Sequence, residues 1–175
     1  MDGNNVICLT KKFSLFATLS AEQVRSITPF LRARRLAKYE PIYCPGEPAQ
    51  FVYLVEEGIV RTTLSTFDGR SLTLAILKAG DLFGEMALIG QSHYSEMSEA
   101  LRPSTILTIP TTVVEVMMQT SPQLVLHIIH IIGGRRLQIE DTLSSLLTNV
   151  AARLARLLLR LSNDYPGNTN QGYTV

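Results

Sequence analysis

Apolar and polar positions change rhythm twice along this chain. Phe13-Ser14-Leu15-Phe16 opens the first packed segment. Ser20-Ala21-Glu22-Gln23 predicts a helix start with Ser20 at the N-cap, and Val24, Ile27, Phe30 and Leu31 follow at helical spacing, distorted at Pro29. The period then shortens to that of strands. Residues 34–39, 41–44, 51–55, 59–64, 71–77 and 104–109 read as short strands, 51–55 the richest in β-branched and aromatic side chains. Asp68-Gly69 is a strong hairpin signal. Five glycines, Gly46, Gly58, Gly69, Gly80 and Gly84, punctuate these runs at spacings of 12, 11, 11 and 4. Many short strands without intervening helices predict a sandwich or barrel, and the spacing favours a jelly roll.

After Pro110 the rhythm turns helical. Residues 111–119 predict a short helix capped by a threonine, and Ser121-Pro122 opens a long one that runs to Asn149. Val125, Ile128, Ile132, Ile139 and Leu146 recur at heptad spacing, with Arg135 and Thr142 in two of the inner positions. Leu126, Ile129, Leu137 and Leu147 make a second stripe. Two apolar faces imply two partners: the chain's own β-domain, and the same helix of a second subunit. The expected dimer stripe is the first, Val125 to Leu146. Gly133-Gly134 interrupts the helix at about 1 kcal/mol per glycine relative to alanine, which close approach of another backbone would explain. A second amphipathic helix is expected over 150–161, with Leu154, Leu157, Leu158 and Leu161 on one face and Arg153, Arg156 and Arg160 on the other. Residues 164–172 read as a polar loop, and Tyr173-Thr174-Val175 as the first residues of a strand. The expected layout is a disordered leader over 1–12, a β-domain over 13–120, a dimerisation helix over 121–149, and the start of a further domain over 150–175.

Composition narrows the function. The 175 residues suffice for one domain with a real core, 46% are hydrophobic, and the net charge of +1 gives no global argument for nucleic acid or membrane. Cys8 and Cys44 have no metal-ligand spacing and read as reduced thiols. Neither a signal-peptide pattern nor an apolar run of about 20 residues occurs, so a cytoplasmic protein is expected. An enzyme of the cupin type would need a His/Glu metal cluster on the strands, and no histidine precedes His93. No Ser/His/Asp set or phosphate-binding loop is legible either, so no catalytic residue, metal or cofactor is expected.

Taken together, the glycine ladder, the segment Phe83-Gly84-Glu85-Met86-Ala87-Leu88 and the helical Gly134-Arg135-Arg136-Leu137-Gln138 resemble the Crp/Fnr family of bacterial transcription regulators. The resemblance covers about 13–175. It implies a jelly roll like a cyclic-nucleotide-binding domain, a long dimerisation helix, and a C-terminal winged helix-turn-helix, whose recognition helix this chain does not contain. It also implies a homodimer whose full-length form binds promoter DNA and RNA polymerase. In nucleotide-binding members a cassette after Gly-Glu cradles the phosphate with backbone N–H groups and an Arg-Ser or Arg-Thr pair.

Here Tyr94-Ser95 falls where that pair is expected, the cassette is one residue shorter, and Glu96 follows. Losing the charged partner of a buried anion costs about 3–5 kcal/mol. Glu140-Asp141 stands where the cyclic-AMP receptors place a hydroxyl pair against the adenine. A sister branch senses 2-oxoglutarate through a helix Arg and Glu, which Arg135 and Glu140 match, but its cassette arginine aligns with Glu96. The plainer reading of Arg135 and Glu140 is an interface ion pair. Iron–sulfur sensing needs a cysteine cluster that Cys8 alone does not make. His93, His127 and His130 are the candidates for haem ligands, and His93 reads more simply as a loop residue. The pocket candidates are Phe83, Gly84, Glu85, Met86, Ala87, Tyr94, Ser95, Glu96, Arg135 and Glu140. The expected function is the sensor and dimerisation region of a DNA-binding regulator not controlled by cyclic AMP, with an effector, if any, of unknown kind. The alternative is a stand-alone ligand-binding jelly roll without DNA binding.

Overall fold

The computed structural model describes residues 12–66 and 68–146, together with 154, 155, 158 and 159. Two short helices, α1 (Ser14–Ala17) and α2 (Ala21–Ile27), precede the strands. The eight strands described are β1 (Arg32–Leu36), β2 (Pro41–Tyr43), β3 (Phe51–Glu57), β4 (Ile59–Ser65), β5 (Ser71–Lys78), β6 (Leu82–Phe83), β7 (Met97–Ala100) and β8 (Ser104–Pro110). A 3-10 turn over Glu85–Ile89 lies between β6 and β7; α3 (Thr111–Thr120) and α4 (Pro122–Leu146) follow β8. The strands form two antiparallel four-stranded sheets, ordered β1-β8-β3-β6 and β2-β7-β4-β5. This is the expected jelly roll.

The continuous apolar run of β3 has a simple cause. Val52 and Leu54 face a core shared with Phe13, Phe16, Val24, Ile27, Val114, Leu124 and Ile128. Tyr53 and Val55 face the space between the sheets, with Tyr43, Val60, Leu77, Phe83 and Ile106. A strand covered on both faces has no polar side to show. Start and turn signals at the N-terminal end act as read: the Ser20 hydroxyl accepts from the Gln23 amide at 3.2 Å while the Gln23 side chain accepts from the Ser20 amide at 2.9 Å, a complete capping box.

Several expectations need correcting. No threonine side chain caps α3; Pro110 occupies that position, and the amide of the buried Thr111 bonds the Gln50 carbonyl at 2.9 Å. Lys12, placed in the leader, forms an ion pair with Glu56 at 3.1 Å. β6 and β7 were not anticipated. The expected dimer stripe is not uniformly open to a partner. Ile128 is 2% exposed in the protomer's own core, and Ile131 and Ile132 pack against the same cluster. Ile128 is therefore taken up by the protomer's own core, while Val125, Ile132 and Ile139 are half-buried. Leu126, Ile129 and Leu137 of the second stripe are the exposed ones, Leu137 by 67%. Both stripes have helical spacing, and periodicity alone does not say which faces inward.

The chain divides into two compact units, 1–135 and 136–175. In the second, Arg136 and Glu140 pair at 2.8 Å, and the Thr142 hydroxyl donates to the Gln138 carbonyl. Residues 1–11 of the expected leader over 1–12, the end of the long helix over 147–149, Leu147, and most of the helix over 150–161 with its three arginines lie outside the described residues, as do the loop and strand after it. Leu154, Ala155, Leu158 and Leu159 are helical and exposed.

Gly58 shows what the glycine ladder does. Its φ is +104°, and a Cβ there would come within 2.6 Å of the Ser104 Cα, besides overlapping that side chain. Gly46 has φ +86° but open space around it. We expect Gly46→Ala to cost about 1 kcal/mol of left-handed strain and Gly58→Ala clearly more, read as the shift of the urea midpoint. Equal losses would mean that strand β8 yields to the added methyl.

Candidate functional site

The interior between the sheets is built from aromatic rings. Tyr43 comes from β2, Tyr53 from β3, Phe83 from β6, and Tyr94 from the loop before β7. The Tyr43 and Tyr94 rings stack at 3.9 Å between centroids, 16° apart. Tyr43 stacks on Tyr53 at 5.5 Å, and Tyr53 on Phe83 at 5.1 Å. The two wider pairs have the centroid spacing of offset stacking, which gains about 0.5–1.5 kcal/mol each beyond buried area.

The loop that supplies Tyr94 is fastened on both sides of the residue. Its amide donates to the Glu47 carbonyl at 2.9 Å, and its carbonyl accepts from the Gly46 amide at 2.8 Å. Its ring is 5% exposed. The phenol donates to the Phe51 carbonyl at 2.6 Å and accepts from the Phe51 amide at 3.3 Å.

Charged groups enter the same interior. Gly84 has φ +72°, and a Cβ there would sit 3.0 Å from the Tyr53 ring, so only glycine makes this turn without displacing it. The turn starts the 3-10 segment and sends Glu85 inward, where it is 4% exposed. Arg135, from the long helix, pairs with Glu85 and also donates to the Leu82 carbonyl. Glu96 accepts from the Tyr43 hydroxyl at 2.9 Å. Burial pushes the Glu96 carboxyl above the usual range; the Tyr43 bond opposes that, the Glu85 charge adds to it, and Arg135 again opposes it. Burial likewise raises the phenols of Tyr43, Tyr53 and Tyr94, so all three stay neutral near pH 7. Ser98, 0% exposed on β7, has a hydroxyl without a partner in this protein-only structure.

Of the residues expected at the pocket, the fold brings Phe83, Glu85, Tyr94, Glu96 and Arg135 into this one interior, and Gly84 against its wall. Met86 and Ala87 follow in the 3-10 turn, Ala87 buried and Met86 half-buried. Two do not join it: Ser95 is exposed, and Glu140 is exposed on the helix with Arg136 as its ion partner. The expected Arg135–Glu140 pair is therefore replaced by Arg135–Glu85 and Arg136–Glu140. An i, i+4 pair spans one helical turn, which i, i+5 does not. Tyr43, Tyr53 and Ser98 were missed. Inward alternation along β3 from Val55 would have found Tyr53; β2 is too short, with Ile42 and Tyr43 both buried, for alternation to mark Tyr43. His93 is exposed beside the Ser92 hydroxyl at 3.0 Å. His127 meets the Ser14 hydroxyl at 3.0 Å, and burial, with the His130 charge, lowers its pKa.

The family model described as the cyclic nucleotide-binding domain matches residues 33–121. The cyclic AMP receptor protein of Thermus thermophilus is 32% identical over 149 residues, which cover 84% of this chain and 68% of that one. The global nitrogen regulator of a Nostoc species is 28% identical over 137 residues, covering 77% of this chain and 61% of that regulator. Among solved structures, a transcriptional regulator of the Crp/Fnr family from Eubacterium rectale superposes with a TM-score of 0.72 at 20% identity, over 89% of this chain and 74% of that one; it speaks for the fold. No helix among the described residues is long and apolar enough to cross a membrane. A jelly roll of this strand order, matched by that domain and by relatives along most of its length, places the chain in the Crp/Fnr family of bacterial transcription regulators.

Proposed function

We propose that this chain is the sensor and dimerisation region of a DNA-binding transcription regulator, and that cyclic AMP does not control it. The observation that carries the second part is the occupancy of the roll. The Tyr94 ring fills space against Tyr43, and the guanidinium of Arg135 is committed to Glu85. A phosphate entering here would meet two carboxylates, Glu85 and Glu96, and one cation already paired. Removing an anion from water without a free cation is the costly case. The relatives named above, one a cyclic AMP receptor and one a nitrogen regulator, do not share a single effector by name. The residues lining the interior therefore weigh more than the family.

The same reading assigns the subunit contact to the exposed helix stripe. Leu126, Ile129 and Leu137 are large, apolar and exposed. Gly133 lies seven residues past Leu126 and four before Leu137, on the same face, and nothing in the protomer lies within 4 Å of where its Cβ would be. A mid-helix glycine costs about 1 kcal/mol, and a second helix crossing close to it would offset that cost. The partner is a second copy of this chain.

Three measurements test this. Selection of random duplexes by the product of the complete coding sequence should enrich a pseudo-palindrome with half-sites about one helical turn apart. Failure to enrich any motif would favour the stand-alone ligand-binding module instead. Calorimetry of the 175-residue chain should show cyclic AMP binding weaker than micromolar, and a tighter constant would sink the charge argument. Finally, Leu126→Asp with Leu137→Asp should give folded monomers in sedimentation equilibrium, whereas Ile128→Asp should unfold the protomer. Monomeric wild type at micromolar concentration would remove the dimer from the proposal.

A further inference from the structure

We propose that the Tyr94 side chain is a resident occupant of the roll, filling the space a diffusible effector would need, and that its hold on the interior reaches the long helix through Phe83 and the Glu85–Arg135 pair. This rests on the preceding reading that cyclic AMP is not the effector.

Three observations converge on Tyr94. It belongs to a loop, yet its ring is as buried as a core strand residue. Loops run over surfaces because their backbone needs water, so a loop that drives one large ring inward does so for that ring. The phenol also makes bonds that the sheet leaves open. β6 pairs only with Tyr53 and Leu54, so the peptide of Phe51 lies beyond its end. The Tyr94 hydroxyl meets that peptide with both a donor and an acceptor bond. Finally, the ring stacks face to face on Tyr43, so the phenol is held by stacking on its face and by hydrogen bonds at its tip.

The route outward is continuous. Tyr94 stacks on Tyr43, Tyr43 on Tyr53, and Tyr53 on Phe83. Phe83 stands between Leu82 and Gly84-Glu85, and Arg135 of α4 grips both the Leu82 carbonyl and the Glu85 carboxylate. Tyr43 opens a second branch through its hydroxyl to Glu96, which lies in the fields of Glu85 and Arg135. Loosening the stack therefore loosens what Arg135 holds. Contiguity alone does not prove coupling; exchange at the helix does.

The test uses phenol, the part of the side chain that Tyr94→Ala removes. That substitution leaves an aromatic-walled void with one hydrogen-bonding peptide, and apolar voids of this kind take up small aromatics. In Tyr94→Ala the melting temperature should fall by several degrees and amide exchange over 122–135 should quicken. Millimolar phenol should restore both; toluene, lacking the hydroxyl, should restore less; wild type should respond to neither. Unchanged stability and exchange in the variant, or an equal response of wild type and variant to phenol, would overturn the proposal. Should Tyr94→Ala not fold, Tyr94→Phe decides: it keeps the ring and removes both bonds to Phe51. The Phe51 amide must then exchange faster, and an unchanged rate sinks the idea. Failure of phenol rescue with cyclic AMP still unbound fails this inference alone. Cyclic AMP binding that leaves phenol rescue and the Phe51 amide untouched fails only the earlier reading.

Discussion

Glu85 is a carboxylate buried in the turn after β6, and that obliges the structure around it. A buried acid must take up a proton or find a cation, because an uncompensated buried charge costs several kcal/mol. The left-handed turn at Gly84 aims it inward, and Arg135 answers from the long helix, 50 residues further on. Meeting that demand fixes the helix about its own axis. Leu124, Ile128, Ile131 and Arg135 fall at i, i+4, i+7 and i+11, one face of α4. With Arg135 turned toward Glu85, the three apolar side chains turn toward the core they share with Val52 and Leu54. A polar residue in an apolar seam is better suited to choosing a register than to adding net stability. Here it accompanies the face of α4 that turns inward, leaving Leu126, Ile129 and Leu137 exposed.

That dependence explains what the sequence disclosed and what it withheld. Strands β3, β4, β5 and β8 were legible because their β-branched runs end at glycines and at Pro110. The Ser20 capping box was legible because its partners are three residues apart. β6 and β7 are two and four residues long and pair with distant strands, so no local pattern announces them. Which face of α4 turns inward was not legible, for a deeper reason. Heptad spacing identifies both faces equally, and the fact that separates them, the Glu85–Arg135 contact, is tertiary. Tyr94 was recognised as a lost positive charge; that it fills volume as well needs the Tyr43 stack, between residues 51 positions apart.

Charge and volume then point the same way at the interior. Exchanging a cationic cassette residue for tyrosine would by itself leave a hole that could take a neutral ligand. Exchanging it for a tyrosine whose ring stacks and whose hydroxyl bonds Phe51 and Tyr53 fills the hole as well. Glu96 extends the effect. A carboxyl held above its usual range by burial is stabilised when protonated, and its acceptor bond from Tyr43 ties its position to the same stack. The aromatic rings thus set the environment of the acid, and the acid anchors one of the rings.

One further polar group bears on what such an interior can still accept. The Ser98 hydroxyl is buried on β7, next to the strand position of Tyr43 and two residues beyond Glu96. A hydroxyl both donates and accepts, so a neutral partner satisfies it without a charge. A phosphate would instead add negative charge beside Glu85 and Glu96. Whatever shares this space with the four rings is therefore more cheaply neutral than anionic, and the phenol of Tyr94 is already such a group, placed there by the chain itself.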